Sequence, residues 1–170
     1  MKIMTSYFYQ IRNFTPNMIP LSTAVWDPKW YHQNKNQKFH FIDKNGVING
    51  LRAEPFMPGE ECKGKCYGPE TCSINDPHIC SFLRHYRHQL DRLNYNEIIT
   101  RFERLGNFLK NELNFKEEPI MVLIVHEAYT NPCSERGVIQ EWFKSHEYPI
   151  QEFIFGEDPR RSGAGLQNPR

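Results

Sequence analysis

The segment PIMVLIVHEA contains an unbroken apolar run, Ile120 to Val125, followed at once by His126 and Glu127. A strand with one wet face alternates apolar and polar side chains, and this run does not. It predicts a central strand covered on both faces, as parallel sheets require. The neighbouring segments agree. SFLRHYRHQLDRL spaces Phe82, Leu83, Tyr86, Leu90 and Leu93 at helical intervals, with Ser81 as the expected N-cap. A second helix follows from Ile98, Ile99, Phe102, Leu105, Leu109 and Leu113, joined to the first near Asn94. Downstream, SERGVIQEWFKSH predicts a helix and PIQEFIF a final strand. Helix, strand, helix, strand is the order of an α/β sheet with at least one parallel crossover.

The first half reads as extended chain. KIMTSYFYQI and MIPLSTAVW predict strands on either side of a turn at Thr15-Pro16-Asn17. Asn45-Gly46 predicts a hairpin within KFHFIDKNGVINGLRAEPF. The expected architecture is one α/β domain over residues 1–155, with a mixed or parallel sheet flanked by helices. The tail 156–170, GEDPRRSGAGLQNPR, has almost nothing to bury and is expected to be disordered.

Four of the five cysteines, Cys62, Cys66, Cys72 and Cys80, follow the hairpin with spacing C-x3-C-x5-C-x7-C. Four thiolates from one polar loop fill the shell of a structural zinc or of a 4Fe-4S cluster, so residues 58–80 are expected to form a metal-bearing insert. The spacing is wider than the paired C-x2-C of common zinc ribbons and does not choose the metal. Gly64, Gly68 and Pro69 supply tight turns between the ligands. His78 is a substitute ligand or a loop histidine. No apolar run approaches the roughly 20 residues of a membrane span, and MKIMTSYFYQ lacks the layout of a secretory signal. A cytoplasmic protein without membrane association is expected, and in a reducing compartment clustered thiols favour metal over disulfides. Redox sensing by those thiols stays open.

The strand end is the second candidate site. It delivers His126 and Glu127 to the carboxyl edge of the sheet, where ligands bind in open α/β folds. A short loop then leads to Cys133, Ser134 and Arg136 at a helix start, where free amides favour an anion, thiolate or phosphate. Arg136 is placed to hold a phosphate or carboxylate, Glu127 to act as acid or base, and Cys133 to act as nucleophile if exposed. A purely structural arrangement uses the same residues: Ser134 as cap, Cys133 buried, Glu127 paired with Arg136.

Glu127, Pro132, Cys133 and Arg136 resemble the family called domain of unknown function 488, whose members end with a strand, a Glu, a loop Pro and a helix-opening Cys six residues after the Glu. TSYFYQIRNF, PLSTAVWDPKW and the stretch from the cysteine loop through SFLRHYRHQL are also similar to its phage and bacterial members. The chain departs at CSER, where that family commonly has Cys-His-Arg, so no role for that histidine carries over. The resemblance implies a compact Rossmann-like fold and no established reaction.

Trp26, Lys29, Trp30, Tyr31 and His32 form an aromatic and basic loop able to stack on a base, or to pack on the core. Arg84, His85, Arg87, His88 and Arg92 give one helix a basic face, usually a solvated surface, and Arg160 and Arg161 could extend it. With 21 basic and 20 acidic side chains the net charge of +1 gives no strong global field. The functional expectation is a nucleotide or nucleic acid bound or processed at the Glu127/Cys133/Arg136 edge, with Ser134, His126 and Trp30 contacting ligand. The alternative is a non-catalytic, metal-stabilised interaction protein, such as a phage factor that occupies a host protein. Substrate and oligomeric state are left open by these residues.

Overall fold

The computed structural model of the protein describes residues 1–32, 41–64 and 76–156. In chain order the strands are β1 (Lys2–Tyr7), β2 (Met18–Ser22), β3 (Phe41–Ile42), β4 (Ile48–Asn49), β5 (Ile120–Val125) and β6 (Gln151–Glu152). The α-helices are α1 (Ser81–Asp91), α2 (Tyr95–Glu112) and α3 (Glu135–Ser145). Among the described residues a four-stranded parallel sheet runs β2-β5-β1-β6, and β3 and β4 form a separate antiparallel ribbon.

β5 sits centrally, as its apolar run predicts. It pairs with β1 from Lys2↔Ile120 to Tyr7↔Val125 and with β2 from Met18↔Ile120 to Ser22↔Ile124. The chain lays down β1 and β2 with a slot between them, and β5 fills it after the long excursion through α1 and α2. The sheet is therefore parallel rather than mixed.

Alternation sorts the strand residues into two cores. Ile3, Tyr7, Ile19, Leu21, Met121, Leu123 and Val125 pack in one cluster with buried residues of all three helices, including Tyr86, Phe102, Ile139 and Phe143. Met4, Phe8, Met18, Val122 and Ile124 pack on the other face with Ile11, Phe14, Tyr31 and Val47. Among the described residues that second face takes no α-helical residue. It is covered by the 3-10 segment Phe8–Asn13, the loop around Tyr31 and the ribbon. Each fully buried side chain of this kind contributes about 1.5–3 kcal/mol, so both faces stabilise the sheet. Among the described residues the α-helices of this parallel α/β sheet thus gather on one face, rather than on both as in a doubly wound fold.

Local signals mostly hold. Asn94 caps α2 by accepting from the Glu97 amide at 3.2 Å, and Ser134 caps α3. Gly46 takes φ +78 in the ribbon turn, a conformation a β-carbon would strain. Ser81 is not a cap: Cys80 holds that position without a side-chain bond, and Ser81 is the first helical residue. The last strand is shorter than PIQEFIF, although Phe153 still donates its amide to the Thr5 carbonyl at 2.8 Å. Cys66 and Cys72 of the predicted insert lie outside the described residues, as does the predicted tail from residue 157. Among the described residues no helix is long and apolar enough to cross a membrane.

Candidate active site at the carboxyl edge of the sheet

Where β5 ends, the chain turns through His126 and Glu127 and reaches Ser134 at the start of α3. Ser134 joins the two ends: its Oγ accepts the Arg136 amide at 3.2 Å and donates to Glu127 Oε2 at 3.2 Å. Glu135, the first residue of α3, brings a second carboxyl against Glu127 and is hydrogen-bonded to it. Burial, then the charge of Glu127, push the Glu135 carboxyl up to about 8. At neutral pH Glu135 is therefore the protonated member, donating to Glu127. Cys62 and Tyr86 feel the same carboxyl from the α1 side. One proton shared by two carboxyls is an acid–base device in its chemistry.

Arg136 is buried, with its donors spent inside the protein. Its Nε donates to Glu152 Oε2 at 2.9 Å, its Nη1 to the Ala128 carbonyl at 3.1 Å and its Nη2 to the Glu127 carbonyl. Thr5 donates to the same Glu152 oxygen at 2.6 Å and receives Gln140 Nε2 at 2.7 Å. Arg136 thus contacts Glu127 through its backbone, and its fork is used in fixing the loop after β5 to β6. Cys133 is half-buried beside it, with its amide bonded to Asn131 Oδ1 at 2.9 Å.

His126 belongs to an aromatic shelf. Its Nε2 lies 2.7 Å from the Trp26 carbonyl, which can only accept, so Nε2 carries a hydrogen. The ring stacks 4.2 Å from Trp26 and 4.9 Å from Phe8, and Phe8 meets Trp30 edge-on at 6.0 Å. Trp26 and Trp30 keep 46% and 41% exposure, whereas Tyr31 is fully buried and donates to the Pro20 and Leu51 carbonyls at 3.0 and 2.6 Å. The loop therefore does both things its composition allows. Asp27 anchors it: the buried carboxylate accepts from Ser22, from Arg52 at 3.0 Å and faces His32 Nε2 at 2.6 Å.

Of the four clustered cysteines, Cys62 and Cys80 enter the helix-side core together with Phe56, Leu83 and Tyr86. Burial, followed by the charge of Glu61, raises the Cys62 thiol, which points at Gln89 Oε1 at 3.8 Å. Among the described residues no three His, Cys, Asp or Glu side chains converge to hold a metal. Among these same described residues, two of the five basic residues along α1 and its C-cap are ion-paired, Arg87 with Glu141 at 2.9 Å and Arg92 with Glu61.

The sequence reading missed Glu135, Glu152 and Asp27. Glu135 had a readable signal, an acid on the first turn of a helix facing a strand-end acid. Glu152 had none, because its role depends on β6 pairing beside β1.

The shared proton carries a pH prediction. Between about 4.5 and about 8 the folded chain keeps a proton on Glu135 that the unfolded chain releases. Stability should therefore fall as pH rises through that window, by at most about 1.4 kcal/mol per pH unit, less where water reaches the half-buried side chain. Burial also raises Glu152, which adds the same sign despite Arg136. Glu135→Gln keeps a neutral donor and should flatten the slope in urea unfolding at several pH values. Parallel slopes for the two proteins would refute the shared proton.

The chain matches no family model, no curated protein and no solved structure.

Proposed function

We propose that the protein binds a nucleotide or a single-stranded nucleic acid at the carboxyl edge of its sheet, and that Glu127 and Glu135 act there as base and acid. The observation that carries this reading is the shelf of exposed Trp26 and Trp30 with half-buried His126, which directly precedes the proton-sharing Glu127 in the chain. Exposed aromatics give bases a stacking surface, and a protonated acid next to an ionised one suits proton transfer at an ester or glycosidic oxygen. Arg136 enters this reading as a positioning residue, since its donors are used internally. Cys133 remains the nucleophile candidate beside the pair. The resemblance to the domain of unknown function 488 family belongs to the same proposal, supported by Glu127, Cys133 and Arg136 meeting at one edge.

The clustered thiols are proposed as a structural support: Cys62, Cys66, Cys72 and Cys80 holding one zinc, with a 4Fe-4S cluster as the alternative. The burial of Cys62 and Cys80 in one core cluster supports it.

Tryptophan emission tests the ligand. A short oligonucleotide should quench it through Trp26 and Trp30, because Trp142 is buried. Trp26→Ala should weaken binding about 5- to 100-fold, the range for one lost stacking contact. Glu127→Gln should leave binding intact and abolish turnover. Absence of quenching up to about 1 mM ligand, a threshold for even weak affinity, would overturn the reading. The exposed Val25, Trp26 and Trp30 favour a second reading, a non-catalytic protein that docks a partner on this edge. It predicts no quenching by nucleotides and no consequence of Glu127→Gln.

A further inference from the structure

On the sheet face without helices, a cavity of about 590 Å³ opens between the 3-10 segment Phe8–Asn13 and the β3–β4 ribbon. Its volume lies in the range of small-molecule sites. Phe8, Tyr9, Trp30 and Phe41 line it with aromatic surface, and Arg12, Lys44 and Asn49 supply polar groups. It includes none of Glu127, Glu135 or Trp26.

Asn49 is the unusual member. It is 1% exposed, and its Oδ1 has no hydrogen-bond partner among the described residues. Its orientation is fixed, because Nδ2 donates to Asp43 Oδ2 and to the Val47 carbonyl, each at 3.1 Å, and neither can serve a flipped oxygen. A buried acceptor without a donor is costly, and a ligand N–H would satisfy it.

The cavity carries two cations, Arg12 and Lys44, against one carboxylate, Asp43. Asp43 is consumed by the amides of Asn45 and Val47 at 2.8 and 3.1 Å and by Asn49. Arg12 lies 3.8 Å over the Tyr9 ring, held by Nε on the Tyr9 carbonyl at 3.0 Å, and its outer nitrogens take no partner among the described residues. Lys44 is exposed and makes no ion pair among the described residues. The Asn45 side chain donates to the Arg12 carbonyl at 3.1 Å, tying this wall to the ribbon turn.

We propose that this cavity, which adjoins the carboxyl-edge shelf at Phe8 and Trp30, is a binding site for a nucleoside monophosphate. The planar base lies against Trp30 and its neighbours, a ring or exocyclic N–H donates to Asn49 Oδ1, and the phosphate is held by Arg12 and Lys44. The residues ask for three things at once: a flat ring, an N–H donor and an anion.

Calorimetric titration of the full chain with the four common ribonucleoside monophosphates, their nucleosides and inorganic phosphate tests the assignment. At least one monophosphate should bind in the micromolar range, its nucleoside at least about fivefold more weakly, and phosphate alone not measurably. Lys44→Ala, at an exposed position, should weaken the monophosphate about fivefold or more and leave the nucleoside unchanged, and Trp30→Ala should weaken both. Lys44→Ala should leave intact the binding of a short oligonucleotide that Trp26→Ala weakens, which separates this site from the edge. The assignment is overturned if no monophosphate binds at about 5 mM, if Lys44→Ala and Trp30→Ala bind as the parent does, or if Lys44→Ala weakens the oligonucleotide and the monophosphate alike.

Discussion

Arg136→Ala should lower the unfolding free energy by about 3–5 kcal/mol, the cost of breaking a buried ion pair from one side. The side chains of Arg136 and Glu152 are 7% and 13% exposed, so little water can replace what is lost. The substitution strands the Glu152 carboxylate, whose second oxygen already has no partner among the described residues. It also removes the donors of the Ala128 and Glu127 carbonyls. Arg136→Lys should lose more than half as much, because an ammonium cannot serve a carboxylate and two carbonyls in the geometry of a fork. Arg136→Met with Glu152→Met should recover most of the loss, since the orphaned charge goes with its partner. Urea unfolding measures all three. A loss under about 1 kcal/mol for Arg136→Ala would mean that the network does not form. The effect should reach the acid pair too: with the Glu127 backbone released, the pH slope assigned to Glu135 should shrink.

The same network shows what the sequence could and could not disclose. The apolar run Ile120 to Val125 announced a central strand because a parallel strand buried on two faces has no polar positions. Helix periodicity disclosed α1, α2 and α3, and Asn94 and Ser134 disclosed two of their starts. The gathering of all three helices on one face was not legible. It depends on which residues of β1 and β5 meet them, and an unbroken apolar strand looks the same from both sides. The carboxyl edge was legible in membership and misread in one role. Arg136 in a first helical turn suits an anion, but a buried guanidinium must use its donors. Two carbonyls and Glu152, sixteen residues away, were nearer than any ligand. That partner emerges only when β6 pairs with β1, a non-local fact that spacing does not encode.

Removal of bound metal should have the other large effect. Protein purified without oxygen should carry one zinc per chain, or iron with sulfide and a brown colour if a cluster occupies the four thiolates. Structural zinc sites are worth about 10–16 kcal/mol in isolated peptides. Part of that should be lost here, because β1 and β5 pair through residues outside the insert. A loss of several kcal/mol in a domain of this size lowers Tm by on the order of 10 °C. The effect should enter the core through Cys62 and Cys80, which pack with Phe56, Leu83 and Tyr86. Metal binding also reverses the state of Cys62: burial favours its neutral thiol, whereas a ligand must be a thiolate. Content should therefore fall with falling pH as protons compete for sulfur. Cys62→Ser should lose the metal and the stability together. Cys133→Ser should keep both, because Cys133 follows β5 in the loop before α3, outside the 58–80 insert in sequence. Chelator-insensitive melting together with substoichiometric zinc and iron would remove the metal from the account and leave Cys62 and Cys80 as small apolar core residues.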